Sequence, residues 1–146
     1  VATLVEQWTI IHVTGSQRAF VDLRHPHYQR YEFLTWQFAH ALSVATVVVC
    51  RAGLGTMSEL AALKKTAIFI PLPDSHQIEN TRLVSATAAG IVLTQDEQIS
   101  SRLEEVLTRL HDDPQERKHL GDNLHTFYNP TALNQMSNLV VDLMKI

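Results

Sequence analysis

Short apolar runs alternate with longer segments of helical periodicity along most of the chain. The runs favour β-strands, because β-branched residues dominate them and turn residues bound them. The segments between them place apolar residues three and four positions apart, which favours amphipathic helices. This alternation predicts an α/β fold, a doubly wound sheet of parallel strands with helices on both faces. The predicted strands are residues 8–13, 31–34, 46–50, 67–70 and 91–93, and the predicted helices are residues 37–44, 56–63, 77–89, 100–110 and 130–144.

Two of the predicted strands consist almost entirely of apolar residues. Residues 46–50 (T-V-V-V-C) and 67–70 (A-I-F-I) show no polar alternation, which is typical of strands buried on both faces of a parallel sheet. Pro71 and Pro73 end the second of them. Because ligands of parallel α/β sheets bind at the carboxyl ends of the strands, the segments after these two runs are the first candidates for a site.

The composition is that of one globular domain. The chain has 146 residues, of which 45% are hydrophobic and 18% charged, so it can bury a core and is not a disordered tail. Its formal net charge of −3 gives no electrostatic footprint for nucleic acid or for an anionic membrane. No apolar run approaches the ~20 residues that cross a bilayer, and the first residues lack the features of a signal peptide. The single cysteine, Cys50, cannot form an internal disulfide, which indicates a reducing, cytoplasmic location.

A glycine-rich turn follows the strand at residues 46–50. Gly53 and Gly55 let backbone N–H groups approach a phosphate closely, and a helix predicted to open near Thr56 adds the positive end of its dipole. Thr56 supplies a hydroxyl, and Glu59 supplies a carboxylate one turn further on. These residues suit a diphosphate with a ribose beside it.

Two other interpretations of this turn remain open. The segment from Thr56 to Glu59 also has the pattern of a capping box, which stabilises a helix by about 1 kcal/mol and needs no ligand. The turn could also belong to a dinucleotide (NAD) site, although Ser58 stands where the third glycine of that fingerprint is expected. Asp74, which follows the next strand, could then hold a ribose, but Pro71 and Pro73 place it on a prolonged loop.

The segment from Ile70 to Asn80 is the second candidate. Its prolines force an extended loop at the carboxyl end of a strand, and His76, Gln77 and Asn80 open the next helix. Imidazole and amide groups both donate and accept hydrogen bonds, which suits a ligand rich in hydroxyls. In the alternative interpretation, Asp74 or Ser75 only caps the helix and His76 is solvated.

The remaining polar candidates are weaker. Arg51 could neutralise a phosphate or pair with a nearby acid, and Cys50 is expected to be a small buried apolar group. We expect no metal site, since the histidines lack ligand spacing and carboxylate partners. These histidines, expected to be solvated, are His25, His27, His111, His119 and His125.

Three segments in order resemble the C-terminal half of MurG-type glycosyltransferases. They are V-V-V-C-R-A-G-x-G-T-x-S-E-L-A-A-L (residues 47–63), A-I-F-I-P-L-P (67–73) and H-Q-x-x-N (76–80). Enzymes of this family transfer N-acetylglucosamine from UDP-N-acetylglucosamine to the lipid-linked muramyl-pentapeptide precursor of peptidoglycan. The resemblance implies a GT-B architecture, with two Rossmann-like domains facing across a cleft, and an inverting transfer. Residues 1–146 would be its donor-binding domain, which needs no metal and no cofactor.

The resemblance also assigns roles to individual residues. Glu59 would accept hydrogen bonds from the ribose, and the turn around Gly55 and Thr56 would hold the diphosphate. His76 and Gln77 would contact the sugar, with His76 standing where the family typically has a glutamine. Backbone groups near the end of the second strand would read the uracil edge. The complete implied substrate-binding set is Phe33, Leu34, Phe38, Gly53, Leu54, Gly55, Thr56, Glu59, His76, Gln77 and Asn80.

The chain departs from the family at its N-terminus. The family's domain opens with a strand and a G-G-S-Q-G-like loop, which are not present here, and Gly15-Ser16-Gln17 follows the next strand instead. That strand would lie between those at residues 8–13 and 46–50, so its absence would expose two sheet edges and favour self-association. The acceptor domain, which carries the general base in this family, is absent as well. We therefore expect no catalytic residue in this chain and no transfer by the chain alone.

Three alternatives accompany this hypothesis: a diacylglycerol-type glycosyltransferase domain, a non-catalytic partner module and an NAD-binding domain. The first shares part of the motif pattern. The family resemblance itself implies a cytoplasmic enzyme that could work at the inner face of the plasma membrane, on a lipid-linked acceptor held by the other domain.

Overall fold

The computed structural model describes residues 3–16 and 23–144. Gln17, part of the glycine-serine segment noted above, lies outside them. A short 3₁₀ turn at Leu4–Glu6 comes first. The strands are β1 (Ile10–Val13), β2 (Tyr28–Tyr31), β3 (Val47–Cys50), β4 (Thr66–Phe69) and β5 (Ile91–Val92), and the helices are α1 (Gln37–Val44), α2 (Leu54–Ala62), α3 (Gln77–Ala86), α4 (Ile99–Asp112), α5 (Pro114–His125) and α6 (Ala132–Leu143).

All the described strand pairs are parallel, and α2 and α3 connect the strands of the second sheet, which confirms the predicted α/β fold. Within the described part of the chain, β1 pairs with β2, and β3, β4 and β5 form a second sheet in that order. Within the described residues, β1 and β3 do not pair with each other. This position in the strand order is where the family resemblance places a further strand.

Strand β4 forms the centre of the core. Its side chains alternate between two apolar layers: Phe69 packs in the layer that contains Leu60 of α2, and Ile68 packs in the layer that contains Leu110 of α4. Burial on both faces was predicted for β3 as well, and it is only partial. Val48 and Cys50 pack against the first layer and Val47 against the second, while Val49 is 42% exposed.

The second strand lies three residues earlier than the predicted 31–34. Tyr28 is in register with Ile10, and its hydroxyl lies 2.7 Å from Nδ1 of His12 on the neighbouring strand. This cross-strand pairing fixes the strand, which ends at Tyr31. The residues predicted to complete it, Phe33 and Leu34, belong instead to the connection that leads into α1.

Helix α5 was not predicted, although the sequence carries its start signal. Asp113 is the N-cap, Pro114 is the first helical residue, and the Asp113 carboxylate accepts a hydrogen bond from the Glu116 N–H at 2.8 Å. The helix packs against β4 and α2. His125, expected to be solvated, is half-buried at its end and lies 2.8 Å from the Ala61 carbonyl oxygen.

Helix α6 has the predicted amphipathic stripe, but no residue of this helix is buried within the described part of the chain. Leu133 is 76% exposed and Met136 is 67% exposed. Across residues 3–16 and 23–144, no helix combines the length and the apolar character that a membrane crossing requires.

Candidate functional site

The N-terminus of α2 lies directly after the carboxyl end of β3. Gly53 is the N-cap in an extended conformation, and its carbonyl accepts the first helical hydrogen bond from the Met57 N–H at 3.0 Å. The helix therefore begins at Leu54, two residues before the predicted start. Thr56 is its third residue rather than its N-cap, so the capping-box interpretation is wrong.

The first turn of α2 presents backbone N–H groups to open space. Helix geometry leaves the N–H groups of Leu54, Gly55 and Thr56 without helical acceptors. A methyl group added at Gly53 or Gly55 would meet no other atom within 4 Å, so the space beside this turn is not filled by side chains. Leu54, the first residue of the helix, is 66% exposed. The arrangement is a positive, accessible surface suited to an anion.

Glu59 lies on the same face of α2 as this turn. It follows Gly55 by four residues and Thr56 by three, the spacing that brings side chains together on a helix. The side chain is exposed, and within the described residues its carboxylate takes part in no hydrogen bond or ion pair. The Ser58 hydroxyl, by contrast, donates to the Leu54 carbonyl at 2.9 Å and so is used by the helix itself.

The loop between β4 and α3 is held by its own polar groups. The Gln77 side-chain oxygen accepts a hydrogen bond from the Leu72 N–H at 3.1 Å, and the Ser75 hydroxyl donates to the Leu72 carbonyl at 2.8 Å. The same hydroxyl accepts from the Gln77 N–H at 3.3 Å, as expected if Ser75 helps to cap α3. His76 is exposed at the N-cap position. The Gln77 oxygen is thus used by the loop, while its NH₂ group makes no hydrogen bond within the described residues.

Asn80 connects this loop to the glycine turn. Its NH₂ group donates to the Ala52 carbonyl at 2.8 Å, one residue before Gly53. The predicted residues of the second segment therefore lie next to those of the first. Asp74 is exposed in the loop beyond Pro73 with a φ of 54°, which agrees with the prolonged loop that the prolines predicted.

The predicted uracil-binding residues lie beyond the carboxyl end of β2. Phe33 is 76% exposed, Leu34 is buried and Phe38, on α1, is 37% exposed. Leu34 lines a largely apolar cavity of about 280 Å³ between the first sheet and α1. The other residues that line this cavity are Ile11, Tyr31, Gln37, His40, Ala41 and Val44.

Cys50 and Arg51 serve the structure of the domain rather than its chemistry. Burial raises the pKa of the Cys50 thiol to about 12, so it stays protonated and unreactive at neutral pH. Arg51 was expected to meet a phosphate or an acid, but its guanidinium donates to the Ile70 carbonyl and to the side-chain oxygen of Gln95. Gln95 carried no signal in the sequence, because only the tertiary fold brings it to Arg51.

No cluster of three or more potential metal ligands occurs in the described ranges 3–16 and 23–144. The candidate site is the N-terminus of α2 with the Glu59 carboxylate beside it. The His76 imidazole and the Gln77 amide lie at its border. A parallel α/β fold with such an opening at the carboxyl ends of its strands is typical of domains that bind phosphorylated ligands. The chain belongs to the glycosyltransferase family 28 C-terminal domain family, whose sequence profile matches residues 2–136.

Curated relatives carry the name UDP-N-acetylglucosamine--N-acetylmuramyl-(pentapeptide) pyrophosphoryl-undecaprenol N-acetylglucosamine transferase. The relative from Nostoc punctiforme is 30% identical over 140 residues, which cover 93% of this chain and 39% of the relative. The relative from Myxococcus xanthus is 32% identical over 107 residues, which cover 71% of this chain and 28% of the relative. The chain thus spans about two fifths or less of the length of these relatives.

Solved structures show the same fold. Acinetobacter baumannii MurG matches with a TM-score of 0.80 at 23% identity, covering 94% of this chain and 43% of that one. The spinosyn forosaminyltransferase SpnP matches with a TM-score of 0.59 at 12% identity, covering 94% and 37%. The chain is therefore a MurG-type C-terminal domain in its fold, as the sequence resemblance predicted.

Proposed function

We propose that residues 1–146 form the donor-binding domain of an inverting glycosyltransferase. The enzyme would move N-acetylglucosamine from UDP-N-acetylglucosamine to the lipid-linked muramyl-pentapeptide precursor of peptidoglycan. The observation that carries the proposal is the open first turn of α2 with, on the same face, the Glu59 carboxylate, which has no partner among the residues that the structure describes. Family membership and the names of the curated relatives support the donor and the acceptor.

The diphosphate would bind at the N-terminus of α2. The N–H groups of Leu54, Gly55 and Thr56 and the Thr56 hydroxyl offer donors, and the helix dipole adds roughly half a positive charge. When UDP departs, negative charge develops on the diphosphate, and these fixed donors would stabilise it in the transition state. The open space beside Gly53 and Gly55 lets phosphate oxygens reach the backbone.

The ribose would bind to Glu59. A carboxylate accepts hydrogen bonds from two neighbouring hydroxyls, and each charge-assisted bond contributes about 1.5–3 kcal/mol. The absence of a competing partner within the described residues leaves both carboxylate oxygens free for the ligand. Glu59 would therefore supply a large part of the affinity for UDP.

The sugar and the base would extend in opposite directions from the diphosphate. His76 and the NH₂ group of Gln77 lie on the loop that Asn80 joins to the glycine turn, which suits contacts with sugar hydroxyls. Backbone groups near Phe33 and Leu34 would contact uracil, with Phe38 packing beside it. An imidazole at position 76 both donates and accepts hydrogen bonds, as an amide does.

Catalysis would need a domain beyond these residues. The lipid-linked acceptor and the general base would belong to that domain, so the 146-residue chain would bind the donor without transferring sugar. The enzyme would work in the cytoplasm at the inner face of the plasma membrane. In the part of the chain that the structure describes, β1 and β3 each have one edge without a neighbouring strand, and these edges could also pair with those of a second copy.

Titration calorimetry with UDP-N-acetylglucosamine and, separately, NAD tests this proposal. We expect saturable binding of the UDP-sugar and none of NAD. Glu59→Ala should weaken binding of UDP by roughly tenfold or more, because it removes a charge-assisted partner of the ribose. The matched control is Glu105→Ala, which removes an exposed carboxylate from α4. Unchanged affinity in Glu59→Ala, or saturable NAD binding without a UDP response, would contradict the proposal.

A further inference from the structure

Arg51 connects the carboxyl ends of three adjacent strands. Backbone bonds join the strand ends, from the Ile70 N–H to the Cys50 carbonyl and from the Leu93 N–H to the Phe69 carbonyl, each at 2.9 Å. The Arg51 side chain continues this connection where the strands stop. Its Nη1 donates to the Ile70 carbonyl at 3.0 Å and the Pro71 carbonyl at 3.3 Å, and to the Gln95 side-chain oxygen at 2.7 Å.

Residues 70–77 form a loop that is fixed at both ends. Arg51 holds its first carbonyls, at Ile70 and Pro71. The Leu72 N–H donates to Gln77, which closes the loop on itself. The Asn80 side chain then donates to the Ala52 carbonyl. Ala52, the residue next to Arg51, therefore holds the start of α3. Residues 51 and 52 together set the distance between this loop and the first turn of α2.

We propose that Arg51, with Gln95, is a positioning residue that sets the sugar-binding loop of residues 70–77 against the diphosphate-binding turn of α2. The proposal rests on the proposed function, in which the sugar and the diphosphate of one ligand bind to these two segments. Arg51 then governs affinity for the sugar portion of the nucleotide sugar. It has little effect on a nucleoside diphosphate, which occupies only the α2 side.

The chemistry of the guanidinium explains why arginine suits this position. All three bonds are made by one nitrogen, Nη1, which carries two hydrogens, so two of the three acceptors share one of them; the planar guanidinium fixes the direction of that nitrogen. A lysine ammonium keeps the charge, but it is a strongly hydrated point donor at the end of a shorter, flexible stem, so it does not occupy the same position between the three acceptors. Arg51→Lys keeps the positive charge and Arg51→Gln removes it, so the two variants together separate the effect of the charge from the effect of positioning.

The test compares Arg51→Lys and Arg51→Gln with the wild-type chain, using UDP and UDP-N-acetylglucosamine as calorimetric ligands. We expect both variants to bind the UDP-sugar about tenfold more weakly, which corresponds to the loss of about one strong hydrogen bond between the displaced loop and the sugar. Affinity for UDP should change less than about twofold. Gln95→Leu should shift the ratio of the two affinities in the same direction, and Gln95→Glu, which keeps an acceptor, should preserve it. Arg82→Gln, which removes an exposed guanidinium from α3, is the matched control.

Amide hydrogen exchange gives a readout that needs no ligand. In Arg51→Gln, exchange at residues 72–78 should accelerate, while the buried amides of β4 keep their rates. Equal weakening of UDP and UDP-sugar in Arg51→Gln with rescue by Arg51→Lys would show a direct phosphate contact and overturn the proposal. Unchanged exchange at residues 72–78 would overturn it as well. A wild-type chain that binds neither ligand but shows the exchange effect would refute the proposed function and leave the loop-holding role of Arg51 supported.

Discussion

Two pairs of glycines lie in this domain for opposite physical reasons. A Cβ at Gly121 would collide with the Lys64 carbonyl oxygen, and one at Gly90 would lie 2.9 Å from the Phe69 ring. A Cβ at Gly53 or Gly55 would meet nothing within 4 Å. The fold itself requires the first pair, since a side chain there would collide with backbone or core.

The fold does not require the second pair. Gly53 has a φ of −79° and a ψ of 138°, which any residue adopts readily. Gly55 lies within α2, where glycine costs about 0.5–1 kcal/mol relative to alanine. Crowding explains neither glycine, and N-capping accounts only for Gly53. A glycine at position 55, at a helix start with free N–H groups, is what the proposed diphosphate site would require. This comparison makes the α2 turn, rather than the packed glycines, the candidate site.

The largest expected effect is at the crowded glycine. Gly121→Ala forces α5 away from the connection between α2 and β4, and we expect it to reduce the free energy of unfolding by about 3 kcal/mol. Gly55→Ala is the matched variant, because both glycines are helical, and it should leave stability unchanged or raise it by up to about 1 kcal/mol. Urea unfolding followed by circular dichroism measures both. Equal stability of the two variants would remove the distinction between the pairs.

A smaller effect is expected at the open glycine that caps α2. Gly53→Ala places a methyl group beside the free N–H groups, and we expect UDP to bind about fivefold more weakly, which corresponds to about 1 kcal/mol. The free energy of unfolding should change by less than about 1 kcal/mol, since alanine is only a poorer N-cap than glycine. Calorimetry and urea unfolding on the same sample separate the two quantities. If Gly53→Ala lowered the free energy of unfolding but left the affinity for UDP unchanged, Gly53 would serve folding rather than ligand binding.

Most of the fold was predictable because strong local signals agreed with the tertiary structure. Helix α1 spans the predicted residues, and the apolar runs at β3 and β4 lie within one residue of their predicted bounds. The exposure of Val49 on β3 was not predictable in this way, because it depends on what packs over that part of the sheet. Helix α5 was missed although Asp113, Pro114 and Glu116 form a legible start signal.

The sequence supplied candidate residues for the site but not the geometry in which the structure places them. The Thr56–Glu59 spacing suggested a cap, yet the chain turns into the helix at Gly53, which leaves Glu59 free for a ligand. The bonds from Arg51 to Gln95 and from Asn80 to Ala52 join residues far apart in sequence, and no local pattern encodes them. The resemblance to MurG-type glycosyltransferases supplied roles for these positions that periodicity alone did not.

The most direct measurement follows the backbone amide resonances of Leu54, Gly55 and Thr56 in a ¹⁵N-labelled chain as ligand is added. The account predicts that UDP shifts these three resonances more than the rest of the chain, because its diphosphate accepts their hydrogen bonds. Uridine, which lacks the diphosphate, should leave them nearly in place. If UDP shifts other regions and leaves these three amides unperturbed, the turn at the start of α2 is not where the diphosphate binds.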